Sequence, residues 1–361
     1  MTGREVIASL IRDKTCPERM GLFEDFWDDT QAAWELEGLP RDVDLHDYFN
    51  YDLQFIDGDG LNTEAFVDGG RRIAEDDETY TELNGWGARM RYWKHKPGTP
   101  EHLSFDLTNE AVWQAKYREP LLAFDIRRLG DLETKRANYR KVMSSGRFAV
   151  WTNLLHFEIM RKAMGDIIML EAMCLNPAWI RDFCDVVTEN IIRHLDALFT
   201  EVGLPDGMWL FEDMGYTQGP FVSPAMYRDL ILPYHTRVID FVHGRGIPVV
   251  MHACGKVTPL LPYIEQAGID CLEVLEAKAG QHVVTMSESI GRRIAFMGNL
   301  DIRAFESNDP KQLEAEIVPK LAAVRAKRIP FVFHSDHSMP RTVRLKTYES
   351  ALELFRKYGR Y

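Results

Sequence analysis

Ile247-Pro248-Val249-Val250-Met251-His252-Ala253-Cys254-Gly255 is an apolar run that opens into a polar turn. It reads as a buried strand whose end leaves the sheet as a loop. Side chains alternate along a strand, so His252 and Cys254, two positions apart, face the same side. An imidazole and a thiol on one face suit a zinc ion or an activated thiolate. Taken alone, the pair fits a core histidine beside a small buried hydrophobe better than either.

Working outward, segments of this kind alternate with helical ones. Met208 to Phe211 is a strand ending in Glu212-Asp213-Met214-Gly215, followed by a helix predicted from Ser223 to about His243, with Ser223 as N-cap and Pro224 at its first position. A helix is expected near Thr258-Pro259. Strands are expected at Cys271–Leu275, Arg293–Met297 and Pro330–Phe333, with helices at Val283–Ile290, Lys311 to about Arg325 and Leu345–Tyr358. Pro319 should kink or break the helix that holds it. Phe148–Trp151 begins an earlier unit of the same type. Successive βα units predict a parallel sheet covered by helices, either an open doubly wound sheet or a closed (β/α)8 barrel.

The first ~140 residues differ in character. An aromatic-rich helix is expected over Glu24–Leu36, and 40–110 reads as loop with short hairpin strands around Thr81–Tyr92. With no low-complexity linker in view, one domain is expected over 1–361, residues 1–140 elaborating and starting the barrel and 141–361 forming its core units.

Chemistry in parallel α/β folds gathers at the C-terminal ends of strands. Those ends carry Glu212 and Asp213, His252 and Cys254, Glu273 and Glu276, Asn299 and Asp301, then His334, Asp336 and His337. Glu212 and Asp213 fit acid or substrate-anchoring roles, and equally carboxylates capping the helix that follows them. His337 or His334 would complete a zinc site with His252 and Cys254, with Asp336 orienting an imidazole. Glu276, Asn299 and Asp301 are expected to contact substrate or support the ligands. A lone His334 bonded within its own loop is the simpler reading for that residue. No nucleotide-binding glycine loop and no G-x-S-x-G elbow occurs.

Of 361 residues, 45% are hydrophobic and 27% charged, and the net charge of −12 leaves no basic footprint for nucleic acid. Five scattered cysteines make a disulfide framework an unsuitable reading, and the start Met1-Thr2-Gly3-Arg4-Glu5 does not open a signal peptide. A cytoplasmic, membrane-free protein is the expectation.

Phe211-Glu212-Asp213-Met214-Gly215-Tyr216-Thr217-Gln218-Gly219-Pro220-Phe221-Val222-Ser223-Pro224 resembles the DD-x-G-T-Q…S-P segment of the uroporphyrinogen decarboxylase superfamily. His252-Ala253-Cys254-Gly255 resembles the H-x-C-G of that superfamily's cobalamin-dependent methyltransferase branch, and Gly298-Asn299-Leu300-Asp301 its G-N-(L/I/V)-D. Asp336-His337-Ser338-Met339-Pro340 stands where a late G-H-G or G-C-G segment is found. The resemblance covers about 140–361 and implies the closed (β/α)8 barrel. It also implies zinc on His252 and Cys254, with His337 where the branch has a late cysteine.

One thiolate with two neutral histidines would leave Zn2+ a formal charge of +1, a Lewis acid suited to polarising an ether or alcohol oxygen. The resemblance thus implies a zinc-dependent methyltransferase that moves a methyl group from a small O-, N- or S-methyl substrate to a corrinoid protein. The corrinoid is expected on a partner, because no Asp-x-His-x-x-Gly stretch occurs; a homodimer is a further carry-over. The alternatives are a metal-free decarboxylase or lyase and a non-catalytic homologue that docks a corrinoid partner. Porphyrinogen decarboxylation fits less well, since Leu22-Phe23-Glu24-Asp25-Phe26-Trp27-Asp28-Asp29-Thr30 is acidic where an arginine-rich carboxylate-binding segment would stand.

Overall fold

The computed structural model describes residues 1–361 except 28, 59, 96, 97 and 292, so Asp28 of the acidic segment lies outside the described residues. Eight parallel strands form one sheet: β1 (Gly21–Leu22), β2 (Leu53–Asp57), β3 (Phe148–Leu154), β4 (Gly207–Phe211), β5 (Val249–Ala253), β6 (Cys271–Val274), β7 (Ala295–Gly298) and β8 (Phe331–Phe333). Each strand pairs with its sequence neighbour from β2 through β8, and β8 pairs with β1. The remaining seam is drawn together by Asp52, whose N–H donates to Leu22 O at 2.8 Å while its carboxylate accepts from Leu22 N and Arg19. The sheet is thereby a closed (β/α)8 barrel, as the alternating pattern and the resemblance had implied.

Strand alternation layers the interior. Val150, Trp209, Val250, Cys271, Ala295 and Val332 belong to one buried apolar cluster inside the barrel. Two residues further on, the same faces present Phe211, His252, Glu273 and His334. His252 is register partner to Phe211 on one side and Glu273 on the other. An apolar floor therefore carries a polar layer at the C-terminal rim.

Local signals set most helices. Ser223 accepts from Met226 N and caps Pro224–Leu230. That helix stops at Ile231, and a second runs Leu232–His243, so the single helix expected from 223 to 243 is broken in two where Pro233 cannot donate to the preceding turn. Pro319 breaks nothing: Pro310–Lys327 is one helix. Its proline lies on the exposed face, where water can satisfy the freed carbonyl, while Leu313, Ile317, Leu321 and Val324 anchor the buried face. The last helix, Leu345–Tyr358, buries Leu345, Tyr348, Ala351, Leu352 and Phe355 at helical spacing.

The N-terminal region supplies β1 and β2. It also carries a four-stranded antiparallel sheet of Arg71–Glu75, Thr79–Leu83, Arg89–Trp93 and Glu101–Ser104, in line with the hairpins expected there. The aromatic helix begins at Thr30 and not at Glu24. Ahead of it, Phe26 forms a parallel bridge to Met339. No described helix is long and apolar enough to cross a membrane.

Candidate functional site

At the ends of β4 and β5, ligand atoms of Asp213, His252 and Cys254 all lie within 4.8 Å of one another. His252 Nε2 is 3.2 Å from Cys254 Sγ and 3.3 Å from Asp213 Oδ1. The opposite ring nitrogen, Nδ1, is held by Glu273 Oε2, so Nε2 is the nitrogen turned to the other two groups. Asp213 Oδ1 also accepts from Cys254 N at 2.8 Å, which ties the two loops together.

Glycine permits that approach. Gly255 has φ +73°, and a Cβ there would fall 2.2 Å from Gly215 C. The loops meet backbone to backbone, with Lys256 N donating to Tyr216 O at 2.9 Å.

Charge is tightly balanced here. Burial works against a protonated His252, but Glu273, Cys254 and Asp213 outweigh it and hold its pKa well above the ordinary histidine value. Burial would raise Asp213; the His252 ring, the Cys254 N–H and Arg161 draw it down to about 2. The Cys254 thiol is pushed up to about 11 by burial, only partly offset by His252. Beside them, burial and the nearby Asp213 lift Glu158 to about 7 against the pull of Arg161.

The other expected site residues sort by what they touch. Glu212 is fully buried and accepts from Phe157 N and Glu158 N, and its Oε1 lies 2.5 Å from His235 Nε2. It thus caps His156–Leu175, the helix of the preceding unit, and not the helix that follows it in sequence; burial raises its pKa to about 8. Glu276 accepts from Gly255 N at 2.9 Å and supports the loop bearing Cys254. Asn299 bonds Val283 N, Leu275 O and Gln281 O. Asp301 caps Ile302–Glu306 and pairs with Arg303.

Asp336 orients no imidazole. Its two oxygens accept from Ala277 N and Ile302 N, because its buried loop must satisfy the backbone of two neighbouring turns. His334 Nδ1 bonds Ser335 O at 2.6 Å, and its ring stacks on Phe23. His337 stands outside the group of converging ligand atoms; its ring packs 5.9 Å from that of Trp27.

Three contributors had no assigned role in the sequence reading. Glu273 stood among the strand ends, but only the register shows that it flanks His252. Glu24, lifted to about 7 by burial, accepts from Ser335 N and Oγ. It lies just past β1, a strand of two residues and too short for periodicity to reveal. Lys135 comes from the helix Leu132–Ser144 and meets Asp57 at the end of β2.

A cavity of about 720 Å3 opens over the ends of β2, β3 and β4. Phe211 forms part of its wall, and the Phe211 ring lies 5.4 Å from that of His252. The cavity and the triad are therefore neighbours across one aromatic side chain.

A closed parallel barrel with convergent nitrogen, sulfur and oxygen ligands at its C-terminal rim defines a barrel enzyme-type scaffold. The uroporphyrinogen decarboxylase (URO-D) family model matches residues 160–358, and the chain belongs to that family. A methylated-thiol–coenzyme M methyltransferase of Methanosarcina mazei is 33% identical over 81 residues, 22% of this chain and 20% of that protein. A uroporphyrinogen decarboxylase of Xanthomonas campestris pv. campestris is 27% identical over 210 residues, 52% of this chain and 55% of the relative. The chain thus spans a fifth and about half of these relatives' lengths. A solved methyltransferase from Methanosarcina mazei shares the fold with a TM-score of 0.68 at 13% identity, covering 99% of both chains.

Proposed function

We propose that this protein is a zinc-dependent methyltransferase that moves a methyl group from a small O-, N- or S-methyl substrate to a corrinoid protein. The observation that carries the reading is the approach of Asp213, His252 and Cys254 to within 4.8 Å at two adjacent strand ends. Their donors fit zinc by type, one sulfur, one nitrogen and one oxygen. Two carboxylates, Asp213 and Glu273, flank one half-buried imidazole, and a cation bound among them would relieve that excess of negative charge. The same cation would let the Cys254 thiol ionise at neutral pH, which burial alone opposes.

Zinc held there would supply Lewis-acid polarisation of the methyl-bearing heteroatom. The chain's own residues do the rest of the positioning. Glu273 fixes the tautomer and direction of His252. Asp213 binds the Cys254 N–H, and Glu276 binds Gly255 N, so the thiol-bearing turn is held from both sides.

With Asp213 as third ligand, one thiolate and one carboxylate cancel the ion's charge. The +1 centre argued from His337 would then be replaced by a formally neutral one, less selective for ether oxygen over nitrogen or sulfur. The methyltransferase names carried by one sequence relative and one fold neighbour support the reaction class.

The test is methyl transfer to a reduced corrinoid protein, followed by the shift from the Co(I) to the methyl-Co(III) spectrum. Transfer that stops with Cys254→Ala or a chelator and returns on adding zinc is expected. Transfer indifferent to both would refute the proposal, and so would carbon dioxide release from a porphyrinogen or aromatic acid without metal.

A further inference from the structure

We infer that the 720 Å3 cavity beside Phe211 is the chamber for the methyl donor, and that it selects a donor carrying an anionic, acceptor-rich head group such as a carboxylate. This rests on the methyl-transfer reading of the adjoining triad and narrows its substrate class.

Size is the first argument. Clefts of about 300–1,000 Å3 hold ligands of many heavy atoms. The cavity is far larger than a donor such as methanol or methanethiol requires, so most of it would meet the rest of the substrate.

Hydrogen-bond accounting is the second. The carboxylates in the wall are already occupied by protein donors. Asp57 holds Lys135, Glu64 accepts from Gly85 N at 2.8 Å, and Asp131 accepts from Glu133 N and Thr134. The amide of Asn153 is used at both ends, by Leu61 N and Leu154 O.

Donors, by contrast, are left over. Lys162 lines the cavity, and its ammonium makes no hydrogen bond among the described residues. Lys135 Nζ has three N–H groups, of which Asp57 and Gly60 O, at 3.4 Å, engage two. Lys135 is also buried, brought into the wall from a helix outside the barrel. A wall whose carboxylates each already face a protein donor, and whose two lysines keep N–H groups to spare, complements an anion. Leu61, Leu154 and Phe211 provide an apolar side that leads toward His252.

Calorimetric titration of the full-length protein with 4-methoxybutanoate and with 4-methoxybutan-1-ol isolates the head group, since the two share chain and methyl ether. The acid should bind about tenfold tighter, equivalent to about 1.4 kcal/mol. Lys162→Ala changes an exposed side chain and leaves the fold intact, and it should remove most of that margin. Lys135→Met should do the same, with Lys162→Ala deciding if the buried substitution unfolds the chain. Equal affinity for the two probes, an undiminished margin in Lys162→Ala, or no binding of either would overturn the inference. Metal content measured on the same preparations separates the two claims. A metal-free protein that still prefers the acid refutes the zinc reading alone, and a zinc protein without the preference refutes the chamber alone.

Discussion

At the scale of single residues, the rim works by giving each buried carboxylate a different partner. Asp213 faces His252 and is drawn down to about 2, whereas Glu212, its neighbour in sequence, is raised to about 8 by burial, which outweighs the backbone N–H groups it accepts from. The contrast suits Asp213 to the role of anionic ligand proposed for it, and makes Glu212 a structural cap that holds a proton near neutrality. The Glu212 pKa in the fold is above its unfolded value, so folding favours its protonated form. Its stabilising contribution is complete below the ordinary glutamate pKa of about 4.3 and is lost as pH rises through about 8. Glu24 and Glu158, each raised to about 7, act in the same direction. Denaturant unfolding from about pH 5 to about pH 8 should therefore show falling stability, with a shallower fall in Glu212→Gln, whose amide can keep all three partners. An unchanged slope in the variant would show that Glu212 does not titrate in this window.

At the scale of elements, the decisive contact is between two loops. Gly215 and Gly255 let the turns after β4 and β5 touch, and this contact brings Asp213 to Cys254. Gly255→Ala places a Cβ 2.2 Å from Gly215 C in a left-handed conformation. It should cost about 1–3 kcal/mol and weaken metal binding along with stability, both read from thermal unfolding with and without zinc. Wild-type stability and affinity in that variant would mean that the loop contact is dispensable.

Elements were legible in the sequence wherever one pattern dominated. The last helix is found where its apolar spacing placed it, and Ser223 caps the helix assigned to it. Misreadings arose where local signals compete with packing, as at Ile231 and Pro319. The site was legible in part. Strand alternation brought out His252 and Cys254, but whether Asp213 or His337 joins them depends on loop reach, which spacing along the chain does not encode. Glu273 acts through register with β5, a relation between strands that no single segment carries.

At the scale of the whole molecule, barrel closure turns scattered residues into one site. Asp213, His252 and Glu273 come from three consecutive units and meet only because β4, β5 and β6 are neighbours in one sheet. The two-residue β1, sealed to β2 through Asp52, completes the ring that holds this rim in place. Over that rim the cavity and the triad meet at Phe211, so a donor seated as proposed would present its methyl end to the triad. The proposed chemistry stands or falls on the identity of the ion at the triad. X-ray absorption at the zinc edge on the purified protein is the most direct measurement of it. Stoichiometric zinc with a single sulfur neighbour and otherwise nitrogen and oxygen ligands, lost in Cys254→Ala and weakened in Asp213→Asn, is the predicted result. A protein without bound zinc, or zinc unchanged by both substitutions, would contradict the account.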